Sequence, residues 1–252
     1  MRVTRNGQML QLTWMPRLFP VNCYIVEEEN DLTLIDAGMP FSLKGILRTA
    51  ESLRKPLARI VLTHAHDDHV GAVDALKKRL PQVSLYISER DAALLRGDRT
   101  LREGEPETPI RGGVPKNVTS IPDHLISDGD EIGSLTAIST PGHTPGSMSF
   151  FDRRNGAVIA GDAMQTFRSV AVTGVVVPLF PFPAMATWNK EAALESAVKI
   201  EKLNPSLLAV GHGNLLKQPG ERLRAAIAKA ELHISQEKRG MNHVAKSGPG
   251  PQ

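Results

Sequence analysis

The residues with the clearest chemical potential lie in one short stretch, Thr63-His64-Ala65-His66-Asp67-Asp68-His69. An apolar, β-branched run ends at Thr63, and five of the next six residues are His or Asp. Imidazole nitrogens and carboxylate oxygens are ligands that zinc and neighbouring divalent metals accept. A single histidine here would be explained as a structural residue. Three imidazoles and an aspartate together would be costly to bury unpaired, so the stretch predicts a metal site.

The spacing within the stretch divides these ligands between two positions. His64 and His66 point the same way if the chain leaves the strand extended, because side-chain direction repeats every two residues. The two histidines can therefore share one ion. Asp68 and His69 are adjacent and fall where the chain turns into a helix, so they face differently and suit a second ion.

Three more polar residues follow strand-like runs, as the metal stretch does. They are His143 in a loop rich in Pro and Gly, Asp162 after a buried strand, and His212 between two glycines. Each alone is equally explained as a turn or helix cap. Together with the first stretch they make seven candidate ligands at strand ends, where α/β proteins build their sites. The other histidines are interpreted as structural or exposed: His124, His233 and His243.

The elements that must position these residues alternate between strands and helices. Strands are predicted over residues 9–14, 22–26, 32–35, 58–63, 83–87, 135–139, 148–151, 157–160 and 207–210, and near Leu125. Helices are predicted over residues 41–53, 70–80, 89–95 and 189–203, with a final helix that carries Leu223, Ala226, Ile227, Ala230 and Ile234. This order predicts an α/β (α+β) fold in which two sheets pack face to face between outer helices, a four-layer αββα sandwich. We expect one domain over residues 1–240 and a disordered tail over 241–252.

Composition excludes several classes of protein. The chain has 252 residues with 41% hydrophobic content, which is enough for a sizeable core and excludes general disorder. The formal charge of +3 comes from 30 basic and 27 acidic residues that are interspersed, so a nucleic-acid partner is not expected. The single cysteine, Cys23, is interpreted as a buried structural thiol. No run has the length of a membrane span or a secretory signal, so we expect a soluble, cytoplasmic protein without a membrane partner.

The ligand pattern resembles that of the metallo-β-lactamase-fold hydrolases, over the chain from Asn22 to His212. The shared signature is a His-x-His-x-Asp-His run followed in order by His, Asp and His. The resemblance implies an αββα sandwich with two metal ions, expected to be Zn²⁺, with Mn²⁺, Fe²⁺ or Co²⁺ as alternatives. It implies that one ion is held by His64, His66 and His143, the other by Asp68, His69 and His212, and that Asp162 bridges them. It also suggests a supporting role for Asp36.

Such a site would hydrolyse a carbonyl compound. Two divalent ions can hold a hydroxide between them because a bound metal lowers the pKa of water, and that hydroxide would attack a carbonyl carbon. Asp162, or Asp68, would relay the proton to the leaving group. The leading hypothesis is a hydrolase of a small ester, lactone or thioester. The alternatives are a phosphodiesterase or ribonuclease with the same metals, β-lactam hydrolysis as a side activity, and a non-catalytic metal-binding sensor.

Departures from subfamily patterns narrow the substrate only in part. Class B1 β-lactamases have a cysteine in the place of Asp162, and the best-known acyl-homoserine lactonases have a tyrosine in the place of Gln165. Hydroxyacylglutathione hydrolases use tyrosine and basic residues in a C-terminal region, a pattern this chain lacks. The apolar segment 164–188 either walls a substrate pocket or packs in the core or a homodimer interface. The loop 97–116 is either a lid or a solvated excursion.

Overall fold

The first sheet contains the strands that carry the main metal stretch. The structure, a computed structural model, describes residues 1–246. Four antiparallel strands are followed by three that continue the sheet in parallel, in the order β1 to β7. The strands are β1 (Arg2–Asn6), β2 (Met9–Trp14), β3 (Val21–Glu27), β4 (Leu32–Ile35), β5 (Leu57–Val61), β6 (Ser84–Ser88) and β7 (His124–Ile126).

The second sheet has six strands in the order β15-β14-β11-β10-β9-β8. They are β8 (Glu131–Ile132), β9 (Leu135–Ser139), β10 (Met148–Asp152), β11 (Ala157–Ile159), β14 (Leu207–Ala209) and β15 (Leu216–Lys217). Only β11 and β14 pair in parallel, and the crossover between them includes a small hairpin of β12 (Met164–Gln165) and β13 (Ala171–Val172). The crossover places the ends of β11 and β14 side by side, which brings the residues after them together.

The helices are α1 (Leu43–Ser52), α2 (Asp67–Val70), α3 (Val73–Arg79), α4 (Glu89–Leu95), α5 (Phe182–Ala186), α6 (Lys190–Lys202) and α7 (Gly220–Lys246). Short 3-10 turns lie at Pro40–Ser42 and Gly161–Ala163. Side chains that accept from the first helical turn set two of the starts: Ser88 caps α4 and Asn189 caps α6. Among the described residues no helix is both long and apolar enough to cross a membrane.

The core confirms the four-layer sandwich. Alternate residues of one strand enter different clusters: Cys23 and Ile25 pack towards the helices on the first sheet, whereas Tyr24 and Val26 pack between the sheets. Leu207 and Ala209 enter the same intersheet cluster from the second sheet. The strands are therefore buried on both faces, which explains why the sequence shows them as continuous apolar runs. The buried Cys23 is consistent with a structural thiol, and burial raises its pKa well above the ordinary value.

Several predicted boundaries were wrong. The helix expected over 70–80 is two helices, because the metal stretch itself forms α2 and the amide of Gly71 then donates to Gly38 O, 2.7 Å away, instead of continuing the turn. The final helix runs to Lys246, past the end expected at residue 240, since a lone glycine such as Gly240 weakens a helix without stopping it. The remaining tail residues, 247–252, lie outside the described part. Strand β1 was not predicted.

Candidate metal centre

The seven predicted ligands meet at one edge of the sandwich, in loops that follow strands. The stretch after β5 carries four of them, and the loop between β9 and β10, the turn after β11 and the loop after β14 carry one each. Six are buried and the seventh, Asp68, is partly exposed. The structure therefore brings these residues together, as the sequence predicted. Ligation itself remains a prediction.

The first ligand group consists of His64, His66 and His143. One nitrogen from each lies within 4.8 Å of the others. His66 Nδ1 and His143 Nε2 are 2.9 Å apart. The rings of His64 and His66 lie nearly perpendicular, at an interplanar angle of 84°. The arrangement is that of a three-nitrogen site that is open on one side.

The second ligand group consists of Asp68, His69 and His212, whose ligand atoms also lie within 4.8 Å of one another. Asp68 Oδ2 is 3.4 Å from His212 Nε2 and 3.8 Å from His69 Nε2. Asp162 lies between the two groups: its Oδ2 is 3.4 Å from His143 Nε2 and 3.1 Å from His212 Nε2. One carboxylate thus contacts both groups, as a bridging ligand must.

The far nitrogen of each histidine is held by a partner outside the site. His66 Nε2 faces Arg111 O at 3.0 Å, and His212 Nδ1 faces Pro20 O at 2.6 Å, so each must donate to a carbonyl. The other three contacts are His64 Nδ1 with Thr63 Oγ1, His143 Nδ1 with Thr173 Oγ1, and His69 Nδ1 with Asp36 Oδ2. A histidine that donates from one nitrogen keeps a lone pair on the other, which is the tautomer a metal requires.

Atoms that point into the site show that a cation fits there. His64 Nε2, His69 Nε2 and Asp162 Oδ1 are buried and have no hydrogen-bond partner. The lone pairs of His66 Nδ1 and His143 Nε2 face each other at 2.9 Å. Leaving such atoms unsatisfied is costly, and a divalent metal would satisfy them all. The cluster therefore fits a metal site.

Asp36 supports this arrangement from behind. It directly follows β4, is buried, and has a φ of 60°, a left-handed conformation that aspartate tolerates better than most residues. Its carboxylate accepts from His69 Nδ1 at 2.7 Å and from the Thr63 amide at 2.8 Å. The hydroxyl of Thr63 also donates to Asp36, which leaves that oxygen to accept from His64. The supporting role suggested for Asp36 thus has a structural basis.

The electrostatics differ between the two ligand groups. Burial lowers the pKa of His64 well below the ordinary value and lowers that of His143 to about 3, so both are neutral at pH 7. Burial alone would lower the pKa of His69, but Asp162 and Asp36 outweigh it and raise the pKa to about 10. Burial alone would likewise raise the pKa of Asp162, but His212 and His69 hold it well below the ordinary range. The carboxylates therefore favour the protonated form of His69, and a metal ion bound at the second group would displace that proton and free the Nε2 lone pair.

The backbone at Gly211 passes closer to a candidate ligand than a residue with a Cβ could. A Cβ at this position would lie 1.9 Å from Asp162 Oδ1 and 2.7 Å from His69 Cε1. In the sequence, Gly-His-Gly was equally explained as a simple turn. The structure shows that this glycine lets the backbone beside His212 approach the carboxylate between the two groups.

A polar contact between the sheets holds the loop that carries His212. Asn22 Nδ2 donates to Val210 O at 2.7 Å and to Gly213 O at 2.8 Å. Tyr24 donates to Val210 O at 2.6 Å, and Gln11 donates to Gly213 O at 2.9 Å. The sequence predicts these residues only as strand positions. The signal that could have identified them is a polar residue inside an apolar strand.

A cavity of about 290 Å³ opens onto the ligands. Both segments considered for the substrate pocket contribute to its wall: Gly112 and Gly113 come from the loop 97–116, and Phe182, Pro183, Met185 and Ala186 come from the segment 164–188. Phe19 completes the wall and was not predicted. Its ring contacts those of Phe182 and His212 at centroid distances of 5.2 and 5.3 Å. The signal for Phe19 was an apolar residue in the short turn between β2 and β3.

Comparisons with known proteins identify similar chains. This chain is 56% identical over 231 residues to the uncharacterized protein YobT of Bacillus subtilis (strain 168), covering 92% of this chain and 99% of that protein. It is 30% identical over 152 residues to the hydroxyacylglutathione hydrolase GloC of Haemophilus influenzae, covering 58% of this chain and 68% of that protein. The crystal structure of TTHA1623 in a di-iron-bound form matches with a TM-score of 0.63 and 26% identity, covering 84% of this chain and 96% of that chain.

A family model gives the assignment directly. The model of the metallo-beta-lactamase superfamily matches residues 16–212, which include every residue of the two ligand groups and Asp162. The matched span covers most of the chain, and the fold is the sandwich that the resemblance implied. The chain therefore belongs to the metallo-beta-lactamase superfamily.

Proposed function

We propose that this protein is a dinuclear zinc hydrolase that cleaves a small ester, lactone or thioester at its carbonyl. The observation that carries the proposal is a cavity lined both by candidate metal ligands and by apolar side chains. His66, His143 and Asp162 are among the ligands that line it, and Phe182 and Met185 are among the apolar residues. A substrate with an apolar substituent would contact the apolar residues and place its carbonyl at the ligands. Membership of a superfamily that includes metallo-hydrolases supports hydrolysis as the reaction type.

The two ligand groups would each hold one ion, with Asp162 between them. When bound, two divalent ions lower the pKa of water and polarise a carbonyl oxygen, which is the chemistry that hydrolysis of these bonds needs. Arg111 O, Pro20 O and Asp36 keep three of the histidines in the tautomer that presents a lone pair to the site. The histidines are therefore oriented before any ion binds, and less reorganisation is needed on binding.

Asp162 and Asp68 are the carboxylates that line the cavity. Asp162 Oδ1 has no hydrogen-bond partner, and Asp68 is the one ligand whose side chain is partly exposed. Asp162 would take the proton from the attacking water and pass it to the leaving oxygen or sulfur. Asp68 is the alternative for that second transfer because it lies nearer to solvent.

The character of the cavity wall supports an acyl substrate over a phosphodiester. Among the described residues that line the cavity, none is a lysine or arginine that could pair with a phosphate. The whole segment between Arg168 and Lys190 is uncharged. Among the three proposed substrate types, the similarity to a hydroxyacylglutathione hydrolase supports a thioester.

Zinc is proposed because the donors are imidazoles and carboxylates without a thiolate. This set suits zinc and also iron, and the similar TTHA1623 is described in a di-iron-bound form. Metal analysis of the protein purified without added metal would decide the identity. Iron in place of zinc would contradict this part of the proposal and leave the hydrolytic reaction intact.

The test of the proposed function is a purified, metal-quantified enzyme assayed against five substrate classes: homoserine lactones, aryl esters, acyl-glutathione thioesters, β-lactams and bis-nitrophenyl phosphate. We expect kcat/KM for one of the first three classes to exceed that for the phosphodiester by at least about tenfold, equivalent to ~1.4 kcal/mol of transition-state stabilisation. Preference for the phosphodiester would refute the proposal. Full metal occupancy without turnover of any class would favour the sensor alternative.

A further inference from the structure

A buried carboxylate outside the two ligand groups connects the loops that carry the first group. Asp91 lies in α4 and is fully buried. Its Oδ2 accepts from the Ala65 amide at 2.9 Å and from Thr144 Oγ1 at 2.7 Å. Its Oδ1 accepts from the Gly146 amide at 2.8 Å. Three donors from two distant segments of the chain thus converge on one side chain.

The positions of those donors relate directly to the metal ligands. Ala65 lies between His64 and His66, and Thr144 directly follows His143. One carboxylate therefore accepts from the backbone between His64 and His66 and from the side chain of the residue after His143. No hydrogen bond in the described structure joins Asp91 to Asp68, His69 or His212; Asp36 serves the latter group through His69.

Asp91 is itself held in a fixed place. Its amide donates to Ser88 Oγ at 3.1 Å, and that hydroxyl donates to Gly146 O at 2.6 Å. A Cβ added to Gly146 would lie 2.6 Å from Asp91 Oδ1, so the loop passes as closely as a glycine allows. Helix α4 and the loop that carries His143 are therefore joined by hydrogen bonds in both directions.

We propose that Asp91 is a positioning residue for the first metal: it sets the separation of His64 and His66 from His143. The proposal rests on the two-metal function proposed above. A carboxylate is required because all three partners are donors. An asparagine would present its amide hydrogens to at least one of them in either orientation, leaving two donors face to face in a buried place.

The test is the metal stoichiometry of Asp91→Asn. Wild-type and variant apoproteins are titrated with Zn²⁺ and separately with Co²⁺, and bound metal is measured by elemental analysis and by the cobalt absorption spectrum. We expect the affinity for one ion to fall by about 10- to 100-fold, the usual effect of losing a partner of metal ligands, with the other ion retained. The retained cobalt spectrum should be that of the group with a carboxylate ligand.

Two control variants separate positioning from general stability. Asp152→Asn changes another buried aspartate, which pairs with Arg154 at the opposite end of β10. Asp74→Asn changes another carboxylate that holds a distant loop, through Thr119 and Ser120. Both controls are expected to lower the melting temperature and to bind two ions with wild-type affinity. We expect Asp91→Asn alone to lose affinity for one ion, because only Asp91 contacts the segments that carry the first ligand group.

A second variant covers the case in which Asp91→Asn does not fold. Thr144→Val removes one of the three donors and should lower the affinity for the same ion by a smaller factor. Wild-type binding of both ions by either folded variant would overturn the proposal, as would loss of the ion at Asp68, His69 and His212 alone. These measurements of bound metal need no substrate. A wild-type protein that binds two ions but hydrolyses nothing would refute the proposed function and leave the Asp91 proposal standing.

Discussion

Substitution of Gly211 by alanine offers the sharpest perturbation of the metal centre. The new Cβ would lie 1.9 Å from Asp162 Oδ1, whereas ordinary contact begins at 3.4 Å. The difference, 3.4 − 1.9 = 1.5 Å, is the distance by which the carboxylate or the loop would have to move. Metal ligands tolerate displacements of only about 0.2 Å. The variant should therefore lose Asp162 as a shared ligand while the surrounding strands keep their pairing.

The expected outcome is weaker metal binding and a fall in kcat/KM of at least about 100-fold, the usual cost of misplacing a reacting group by 1 Å. Bound zinc is measured by elemental analysis and kcat/KM with the best substrate of the panel. Gly220→Ala is the matched control, because that glycine begins α7 and its added Cβ would meet only Arg224 at 3.4 Å. Two bound ions and activity within threefold of wild type in Gly211→Ala would refute the reasoning.

Further predictions concern the ligands, their support and the cavity. Asp162→Asn should lose one ion or most of its turnover, and retention of two ions with full kcat would contradict the proton-relay role. Asp36→Ala should weaken metal binding by about 10- to 100-fold, since His69 loses its partner; unchanged zinc affinity would argue against this role. Phe182→Ser should raise KM for substrates with longer acyl groups and leave kcat for short esters nearly unchanged, as steady-state kinetics would show. Removal of metal with a chelator should abolish activity and lower the melting temperature, and added Zn²⁺ should restore both.

The sequence predicted which residues meet at the candidate metal centre because their chemistry is concentrated. His64, His66, Asp68 and His69 lie so close together that few structural roles could account for them all. His143, Asp162 and His212 were weaker signals, and they became convincing only as ends of strands that could meet at one edge. Their convergence on one cavity in the structure is what strand-end placement predicted.

The sequence predicted element boundaries less well where tertiary contacts replace local ones. At the break after α2 the Gly71 amide bonds to Gly38 O, and the periodicity of residues 70–80 does not indicate a partner so far away in the chain. Strand β1 is polar and becomes a strand by pairing with β2, so its own residues carry little signal. Gly240 resembled a helix end because a glycine commonly marks one, yet α7 continues past it.

By itself the sequence predicted a metal-binding cluster and the layers of the fold, since both depend on residue types and short-range periodicity. A metal-binding pattern needs only the right side chains near one another, and a strand buried on both faces needs only a continuous apolar run. Only the tertiary structure decided which partners orient the ligands. Asp36 on His69, Pro20 O on His212 and Asp91 on Ala65 each join residues far apart in the chain. The packing of the two sheets selects these contacts, because any carboxylate or carbonyl could serve until the fold brings one within hydrogen-bond distance.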